Sequence, residues 1–434
     1  MESDALDPAA ASASRSLPDF LRETKREYID AVKAGKGGEW TVAMGNEAGD
    51  LDSAASAIAY AWYAGTIRHS PTVPLVQTPR SDLHLRAENE HALALANVDA
   101  HDLLCVDDVP QAPSAPFPST RFALVDHNRL AQLFSVDNPV ARVVAIVDHH
   151  EDEGLYRGEA HPRIVVKGVG SCASLVTQLL EEHCPERVPP ELATLLLAAI
   201  LVDTGGLVPG GKAVDADHRA AAFLAPRSTL SATSSSLHAS PAIRTLADTL
   251  QHKKASVAHL GTRDLLRRDY KEYALAPSWA PTPVLRVGLA SVPLALGVWL
   301  PREGGAFADA AQAWMDERGL AALGVLTSFR EAGKANGHGH GKHRREQLWT
   351  IRVRDDGERE LATRLVRGLE GSAELALKER RWAKVGAEED AGFGPGIEVR
   401  VWKQKNAHAT RKATAPLVKA IVEGSGSDNR QSGL

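Results

Sequence analysis

The sequence predicts an α/β protein of two domains. Between Trp40 and about Gly206, short β-branched runs alternate with helical stretches, and the runs are apolar on both faces. This is typical of parallel strands buried between helices. Farther on, alternating runs such as "VLRVGLASVPL" and "QLWTIRVR" indicate a mixed sheet. We therefore expect an N-terminal domain with a mostly parallel sheet flanked by helices, and a C-terminal α+β domain with a mixed sheet.

The expected domain boundaries follow from composition. Residues 1–16 predict a disordered tail, because they are acidic and lack the apolar segment of a signal peptide. Residues 17–228 form the predicted first domain, and residues 246–434 form the second. Between them, residues 229–245 are expected to be a linker, because the surrounding stretch "APRSTLSATSSSLHASPA" is rich in Ser, Ala and Pro.

The elements of the first domain can be placed in order along the chain. A helix, "LPDFLRETKREYIDAVKAG", precedes the strand "WTVAMGN" and the alanine-rich helix "SAASAIAYAWYAG". The next strands are "TVPLVQ", "DLLCVDD", "RFALVDHN" and "RVVAIVDHH". The stretch "RIVVKGVGSCASLVTQLLEEHC" predicts a strand, a glycine turn and a helix. Finally, "PPELATLLLAAILVDTGGL" predicts an apolar helix that begins at proline and ends at a glycine pair.

Composition narrows the class of protein. The 434 residues carry a net charge of −5, which argues against binding nucleic acid through charge alone. The three cysteines show no CxxC spacing, which suits a reducing compartment. No apolar run approaches the ~18 residues of a membrane span. We expect a cytoplasmic monomer that binds neither nucleic acid nor membranes.

Acidic residues and histidines follow most of the apolar runs. In chain order they are Asp50, Asp52, Asp107, Asp108, Asp126, His127, Asp148, His149, His150 and Asp203. Because the carboxyl ends of parallel strands meet at one edge of a sheet, most of these side chains are expected to converge. Clustered carboxylates repel one another unless cations neutralise them, and Asp with one or two His suits Mg²⁺ or Mn²⁺. Two such ions would form a centre for phosphoryl hydrolysis.

Five segments of the first half resemble, in the same order, motifs of the DHH phosphoesterase superfamily. They are "GNEAGDLDS", "LVDHN", "VDHH", "VGSCASLV" and "AAILVDTGGL". In the second half, "RRDYKEY" and "ATRKATAPLV" are similar to phosphate-binding motifs of one subgroup. This subgroup contains the family II inorganic pyrophosphatases, the prune proteins and the fungal exopolyphosphatases. The segments "GNE", "DHH" followed by "EDEGLY", and "SLPDFL" make the chain most similar to the fungal cytosolic exopolyphosphatases.

The resemblance implies metal ligands and phosphate-binding residues. The implied ligands of two divalent cations, Mg²⁺ or Mn²⁺, are Asp50, Asp52, Asp126, His149 and Asp203. His150 would face the substrate as a donor or general acid, and Lys271, Arg411 and Lys412 would clamp phosphate. Asn46 stands where the pyrophosphatases carry a histidine. It is a further candidate ligand, and its amide oxygen would favour Mg²⁺.

The implied activity is that of an exopolyphosphatase. Water activated by two metal ions would attack the terminal phosphate of inorganic polyphosphate in a cleft between the domains, and orthophosphate would leave. Asp126 and Asp203 would bridge the two ions. Catalytic roles would fall to His150, Asp126, Lys271 and Arg411. Asp148 would orient its neighbours without binding metal.

Three alternatives remain open. Two are enzymes: an inorganic pyrophosphatase and a prune-like cyclic-nucleotide phosphodiesterase. The third is a regulatory binding protein with a relict site. Asn46, in place of the histidine, argues against the pyrophosphatases, and the intact pair His149 and His150 argues against the prune proteins. Retention of the full set of acids and histidines argues against the regulatory protein.

Other polar residues have both a structural and a functional interpretation. Candidates for the lining of a basic channel, or else for solvated surface, are Arg80, Arg86, Arg267 and Arg268. Ser171 and Ser174 would cap a helix or lie where its N–H groups meet a phosphate. Asp107 and Asp108 are expected to be structural or to lie around the metal site without binding the ions, and Cys172 is expected to pack in the core. The histidines of the loop "GHGHGKH", which we expect to be solvated, are His338, His340 and His343.

Overall fold

The computed structural model describes residues 15–111, 115–230, 240–280, 282–303, 305–331, 342–386 and 392–424. The chain divides into two compact units, Met1–Ser256 and Val257–Leu434. Within the described ranges, no helix is both long and apolar enough to cross a membrane. Most of the predicted tail and the loop residues His338 and His340 lie outside these ranges.

The N-terminal unit contains the strands and helices that the sequence predicts, in the predicted order. Its helices are α1 (Leu17–Lys33), α2 (Leu51–Trp62), α3 (Ala87–Leu95), α4 (Gln132–Ser135), α5 (Cys172–His183), α6 (Pro190–Thr204), α7 (Asp215–Leu224) and α8 (Pro241–Ala255). Its strands are β1 (Thr41–Met44), β2 (Thr72–Val76), β3 (Leu104–Cys105), β4 (Arg121–Val125), β5 (Arg142–Asp148) and β6 (Arg163–Val165). The predicted parallel sheet is confirmed, since each neighbouring pair of these strands is parallel.

The order of the strands creates a place for a ligand. The six strands lie in the order β3-β2-β1-β4-β5-β6, so the chain winds outward from β1 to β3 and then returns to the other side of β1. In open parallel sheets, ligands bind beyond the carboxyl ends of the strands at such a reversal. The segments that leave β1 and β4 here are residues 45–50 and 126–128, which carry two of the acidic motifs.

Two apolar helices form the core beside this sheet. Every residue of α2 is buried, and α6 is apolar on all sides, as expected of a helix enclosed by its neighbours. Helix α6 has Pro190 in its first turn and ends at Gly205, whose φ of 71° is left-handed. Gly45 joins β1 to the start of α2. A Cβ atom at Gly45 would lie 2.4 Å from the Cβ of Ser53, so this close approach requires glycine.

The C-terminal unit has the predicted mixed sheet. Its helices are α9 (Thr262–Arg268), α10 (Leu296–Arg302), α11 (Ala306–Arg318), α12 (Asp356–Glu370) and α13 (Arg411–Glu423). Its strands are β7 (Tyr270–Leu275), β8 (Leu285–Val292), β9 (Ala322–Thr327), β10 (Phe329–Arg330), β11 (His343–Arg352), β12 (Leu377–Glu379) and β13 (Ile397–Gln404). The strand order is β12-β13-β11-β9-β8-β7, with β10 beside β11. The pair β8–β9 is parallel and the other pairs are antiparallel.

The structure differs from the predicted linker, residues 229–245. Residues 231–239 lie outside the described ranges, but α8 begins within the predicted linker and continues beyond it. Ile243 and Leu250 of this helix are fully buried in the N-terminal core, where they are removed from water. Helix α8 therefore belongs to the first unit, which ends at Ser256, later than predicted.

Candidate active site

Asp50 is the N-cap residue of α2. Its Oδ1 atom accepts a hydrogen bond from the backbone N–H of Ser53 at 3.0 Å, which satisfies one of the unpaired donors of a helix start. The serine hydroxyl is engaged separately, because it donates to Asp126 at 2.6 Å. The first motif thus fixes Asp50 at the carboxyl edge of the sheet and links it through one serine to the acid that follows β4.

Asp52 lies in the first turn of α2 and is only 1% exposed. Its oxygens accept hydrogen bonds from the Ser171 hydroxyl at 2.9 Å and from the N–H groups of Cys172 and Ala173 at 2.7 and 2.8 Å. The N–H groups that begin a helix attract an anion, and at α5 that anion is the chain's own carboxylate. Ser171 is the N-cap residue of α5, as expected, but its hydroxyl donates to Asp52 and does not cap the helix, and Asp52 accepts the N–H groups that a phosphate would otherwise meet.

Asp126 is the centre of the cluster. It follows β4 with a left-handed φ of 61°, a conformation that Asp adopts more readily than most residues. Its Oδ2 accepts hydrogen bonds from Asn46 Nδ2 at 2.9 Å and from the Ser53 hydroxyl at 2.6 Å. Its Oδ1 lies 3.1 Å from His149 Nε2. Burial raises the pKa of Asp126, and the hydrogen bond from His149 offsets only part of that rise.

Asn46 is oriented as a donor. Its amide nitrogen donates to both the carboxylate and the backbone carbonyl of Asp126, at 2.9 and 3.1 Å. Its amide oxygen accepts the N–H of Ala48 at 2.9 Å. With these bonds Asn46 holds Asp126 in place, and its role as a direct metal ligand stays a prediction.

His149 is fixed through one ring nitrogen. Its Nδ1 lies 2.9 Å from the carbonyl oxygen of Val169, so the opposite atom, Nε2, faces the carboxylates. It is 3.1 Å from Asp126 Oδ1 and 3.8 Å from Asp52 Oδ2. Burial lowers the pKa of His149, but the hydrogen bond to Asp126 and the charge of Asp52 outweigh it and raise the pKa to about 10. This orientation presents Nε2 as a metal ligand.

Asp148 orients His150, as predicted. Asp148 ends β5 fully buried, and it accepts hydrogen bonds from His150 Nδ1 at 2.8 Å and from Asn128 Nδ2 at 2.5 Å. Burial raises the pKa of Asp148, but these hydrogen bonds outweigh it and lower the pKa. His150 is 45% exposed, so its Nε2 atom is accessible to a substrate.

One cavity of about 580 Å³ joins these side chains. Its lining includes Asp50, Asp126, His149, His150, Asp203 and Lys254. Asp203 ends the apolar helix α6, and its Oδ1 lies 3.2 Å from the Nζ atom of Lys254 on α8. Sequence reasoning missed Lys254, because it stands 51 residues from Asp203 and belongs to none of the motifs. The cavity thus contains a lysine among the acids.

The donor atoms fit divalent cations. Ligand atoms of Asp126, His149 and His150 lie within 4.8 Å of one another, and Asp50 and Asp203 face the same cavity. Carboxylate oxygens with an imidazole suit Mg²⁺ or Mn²⁺. Burial raises the pKa of both Asp126 and Asp203, and the charge of Asp50 adds to the rise. Bound cations would relieve this repulsion, so the residues present match the metals that the motifs imply.

Binding of a divalent cation is expected to release a proton from His149. In the metal-free protein the pKa of His149 is raised from 6.5 to about 10, so the ring is protonated at neutral pH. That protonation stabilises the fold fully below pH 6.5, and the stabilisation is lost as the pH rises through about 10. A cation must displace this proton to bind Nε2.

Calorimetry with Mn²⁺ at pH 8, in buffers of different ionisation enthalpy, measures this release. We expect about one proton per cation bound at His149, and an affinity that rises roughly tenfold per pH unit. An affinity independent of pH between 7 and 9 would contradict this assignment.

The predicted phosphate clamp lies in the C-terminal unit. Arg411 opens α13, and its guanidinium donates to the backbone carbonyl of Asp269 at 2.9 Å and lies 2.8 Å from the Asp269 carboxylate. Asp269 directly precedes β7, the strand that carries Lys271. Lys412 is exposed in the first turn of α13. Arg411 and Lys271 are thus held at the same end of one strand, and their role with phosphate stays a prediction.

Two of the predicted channel residues make structural contacts within the N-terminal unit. Arg80 donates to Asp108 at 2.8 Å and to the carbonyl of Leu103 at 2.7 Å. Arg86 donates to the carbonyl of Ala48 at 2.6 Å and so supports the loop after β1. Burial raises the pKa of Asp108, but the hydrogen bond from Arg80 outweighs it, and the pKa falls to about 2. These contacts favour a structural role for Arg80 and Arg86, and their place in a channel stays a prediction. Asp108 has the structural role expected of it.

Three other candidates have local roles. Arg267 pairs with Asp264 one turn earlier, at 2.9 Å, and Arg268 stays a candidate. Cys172 is buried, and its Sγ donates to the carbonyl of a strand residue. The Nδ1 atom of His127 bonds to the carbonyl of its own strand, and burial lowers the pKa of this histidine. Cys172 and His127 therefore pack beside the site, and none of these three residues lines the cavity.

A parallel sheet with carboxylates and histidines gathered at its switch point is typical of hydrolases that use divalent metal ions. Comparison with protein families identifies it further. The DHH family, N-terminal domain, matches residues 40–200, and the DHHA2 domain matches residues 248–421. The chain belongs to the DHH family of phosphoesterases.

Relatives agree with this assignment. A candidate exopolyphosphatase of Schizosaccharomyces pombe is 29% identical over 431 residues, which cover 94% of this chain and 98% of that protein. Exopolyphosphatase PRUNE1 of Mus musculus is 31% identical over 259 residues, 59% of this chain and 53% of that protein. A candidate manganese-dependent inorganic pyrophosphatase of Archaeoglobus fulgidus is 27% identical over 168 residues, 37% of this chain and 48% of that protein.

A solved structure shares the fold. The crystal structure of a candidate family II inorganic pyrophosphatase from Methanococcus jannaschii matches with a TM-score of 0.52 and 18% identity. The match covers 88% of this chain and 99% of that one. At this identity the likeness concerns the fold, so substrate and mechanism have to be argued from the site.

Proposed function

We propose that the chain is a cytoplasmic exopolyphosphatase that acts as a monomer and releases terminal orthophosphate from inorganic polyphosphate. The observation that carries the proposal is the cluster of Asp126, His149 and His150 at the switch point of the sheet, in one cavity with Asp50 and Asp203. The relative from S. pombe, matched over nearly its whole length, bears the name of this activity. The acids and histidines are complete, which favours an enzyme over a regulatory protein.

The chain's own residues have distinct roles in this proposal. Two divalent cations, Mg²⁺ or Mn²⁺, when bound would lower the pKa of the attacking water and neutralise phosphate charge. The residues that would hold them are Asp50, Asp52, Asp126, His149 and Asp203. Asn46 and Ser53 keep the Asp126 carboxylate in one orientation through their hydrogen bonds, so little reorganisation is needed when charge develops.

His150 would donate a proton to the leaving phosphate oxygen. Asp148 holds Nδ1 of this ring at 2.8 Å and, as an anion, stabilises the protonated imidazole. Its Nε2–H is then directed away from Asp148 toward the substrate. Lys271, Arg411 and Lys412 would bind the phosphate oxygens of the substrate and stabilise the charge that accumulates on them.

The substrate class is tested by orthophosphate release with Mg²⁺ and with Mn²⁺. We expect rapid release from long-chain polyphosphate and tripolyphosphate, and slower release from pyrophosphate, because Asn46 replaces the pyrophosphatase histidine. Activity on pyrophosphate alone would assign the chain to the pyrophosphatases. Hydrolysis of a cyclic nucleotide alone would assign it to the prune-like phosphodiesterases, and absence of hydrolysis with either metal would support the regulatory interpretation.

A further inference from the structure

We infer that a basic surface on the C-terminal sheet binds the distal part of a long phosphate chain. This basic sheet surface is formed by Arg344, Lys378, Arg380, Lys384 and Lys403, which line a cavity of about 370 Å³. The inference rests on the proposed function, since it adds a second binding site for the same substrate. It concerns residues outside the motifs and outside the clamp formed by Lys271 and Arg411.

The pleat of the sheet gathers these charges on one face. Lys403 of β13 stands directly opposite Lys378 of β12 and, on its other side, opposite Glu346 of β11. Residues in one cross-strand row point to the same face, and positions two residues along a strand share that face, which adds Arg344. Arg380 directly follows β12 and pairs with Glu346 of the Lys403 row. Like charges directly opposite one another destabilise a sheet. The Lys378–Lys403 pair therefore carries a cost that an anionic ligand would remove.

The acids nearby neutralise only part of this surface. Arg344 pairs with Glu331 at 3.0 Å, and Arg380 pairs with Glu346. Lys378, Lys384 and Lys403 have no carboxylate within the 4.0 Å of an ion pair in the part of the chain that the structure describes. A local excess of positive charge in a chain of net charge −5 indicates a polyanionic ligand.

The surface lies at the same end of the sheet as Arg411. Asp269, which binds Arg411, accepts the N–H of Ser291 at 2.8 Å at the end of β8. Ser291 aligns through β9 and β11 with Trp402, the neighbour of Lys403. Neighbouring residues of a strand point to opposite faces, so a ligand that reaches Lys403 from Arg411 passes over this end of the sheet. From β7 to β13 there are four strand spacings of ~4.8 Å, or roughly 19 Å. A long polyphosphate held at Arg411 can span this distance, whereas pyrophosphate and tripolyphosphate are too short.

The experiment uses the full chain and two charge-matched variants. The test variant combines Lys378→Gln with Lys403→Gln. The control combines Lys33→Gln with Lys36→Gln, two exposed lysines of the N-terminal unit. Binding of long-chain polyphosphate is measured in EDTA over a range of salt concentrations, so that hydrolysis plays no part. We expect the test variant to bind at least tenfold more weakly, with a salt slope reduced by about two, and the control to bind like wild type.

Kinetics provide a second readout. In the test variant the KM for long-chain polyphosphate should rise at least tenfold, while kcat and the KM for tripolyphosphate stay unchanged. A third variant, Lys378→Arg with Lys403→Arg, retains the charges and should restore binding even if the glutamines disturb the edge strand β12. If the lysines serve only to discourage pairing at this sheet edge, test and control variants will bind polyphosphate equally, and the inference is overturned.

If the proposed function is wrong, the same experiments give a result that differs from the failure of the basic sheet surface. In that case wild type would still bind long-chain polyphosphate in EDTA through this surface but would hydrolyse none of the phosphate substrates with Mg²⁺ or Mn²⁺. If wild type hydrolyses polyphosphate and the test and control variants do not differ in either readout, the proposed function stands. The basic sheet surface is then not a binding site for polyphosphate.

Discussion

Asp126→Asn is expected to reduce orthophosphate release from polyphosphate by about three orders of magnitude or more. The Asp126 carboxylate lies at the centre of the cluster, 3.1 Å from His149 Nε2, and we propose that it is shared by both cations. The amide has nearly the same shape, so packing is retained while the charge that binds the metals is lost. Removal of one member of a catalytic unit commonly costs such a factor.

The measurement compares kcat with long-chain polyphosphate and tripolyphosphate, together with calorimetry of Mn²⁺ binding. Asp107→Asn is the matched control, because Asp107 is an exposed acid of the same unit and lies outside the cavity. We expect the control to retain the activity and the melting temperature of wild type. Metal-free Asp126→Asn should melt at a lower temperature, because it loses the ion pair with protonated His149. If kcat falls less than tenfold in Asp126→Asn and Mn²⁺ binding is normal, Asp126 is not part of the reaction centre.

The position of this centre could be predicted because it depends on local patterns. Apolar β-branched runs followed by acids place carboxylates at strand ends, and the parallel sheet brings those ends to one edge. This pattern predicts Asp126, which directly follows β4, and His149, which directly follows β5. The α/β fold and the mixed second sheet follow from the same patterns of apolar residues.

Partners far apart in the chain could not be predicted. Asp52 accepts the N–H of Cys172, 120 residues away, and no pattern around either residue indicates that α5 binds a carboxylate instead of a phosphate. By its side-chain type, Arg80 could line a channel for phosphate, but it pairs with the carboxylate of Asp108 within the N-terminal unit. In each case the side-chain type was consistent with two roles, and only the tertiary contact distinguishes them.

The linker error has a related cause. Ser, Ala and Pro favour a linker by composition, yet α8 has Ile243 and Leu250 at helical spacing, and both are buried. Burial of a few apolar side chains outweighs the weak local preference. This matters for function, because α8 carries Lys254 into the cavity of the proposed metal site.

Lys254→Met is expected to tighten Mn²⁺ binding by about tenfold and to destabilise the metal-free protein. Lys254 Nζ lies 3.2 Å from Asp203 Oδ1, so its ammonium group occupies one side of a carboxylate that we assign to the metals. Burial lowers the pKa of Lys254, but the charges of Asp203 and Asp50 outweigh it and raise the pKa, so the lysine is cationic at neutral pH. A fixed cation beside a metal ligand opposes a second cation.

The destabilisation should be modest. The Lys254 side chain is 36% exposed, so solvent screens the ion pair and its loss should cost about 1 kcal/mol of unfolding free energy. With saturating Mn²⁺ this cost should disappear, because the ion then neutralises Asp203 in place of the lysine. The variant should therefore be less stable than wild type only in the absence of metal, which a general loss of packing would not produce.

Calorimetry with Mn²⁺ and thermal unfolding with EDTA or Mn²⁺ measure these effects. Lys254→Arg retains the charge and should bind Mn²⁺ like wild type, and Lys253→Met, at the preceding position of α8, should change neither quantity. Weaker Mn²⁺ binding in Lys254→Met would show that the lysine holds Asp203 in the geometry that the ions need. Tighter binding would show that it is an internal counter-ion, which keeps the acids of the empty site compatible with the fold until metal replaces it.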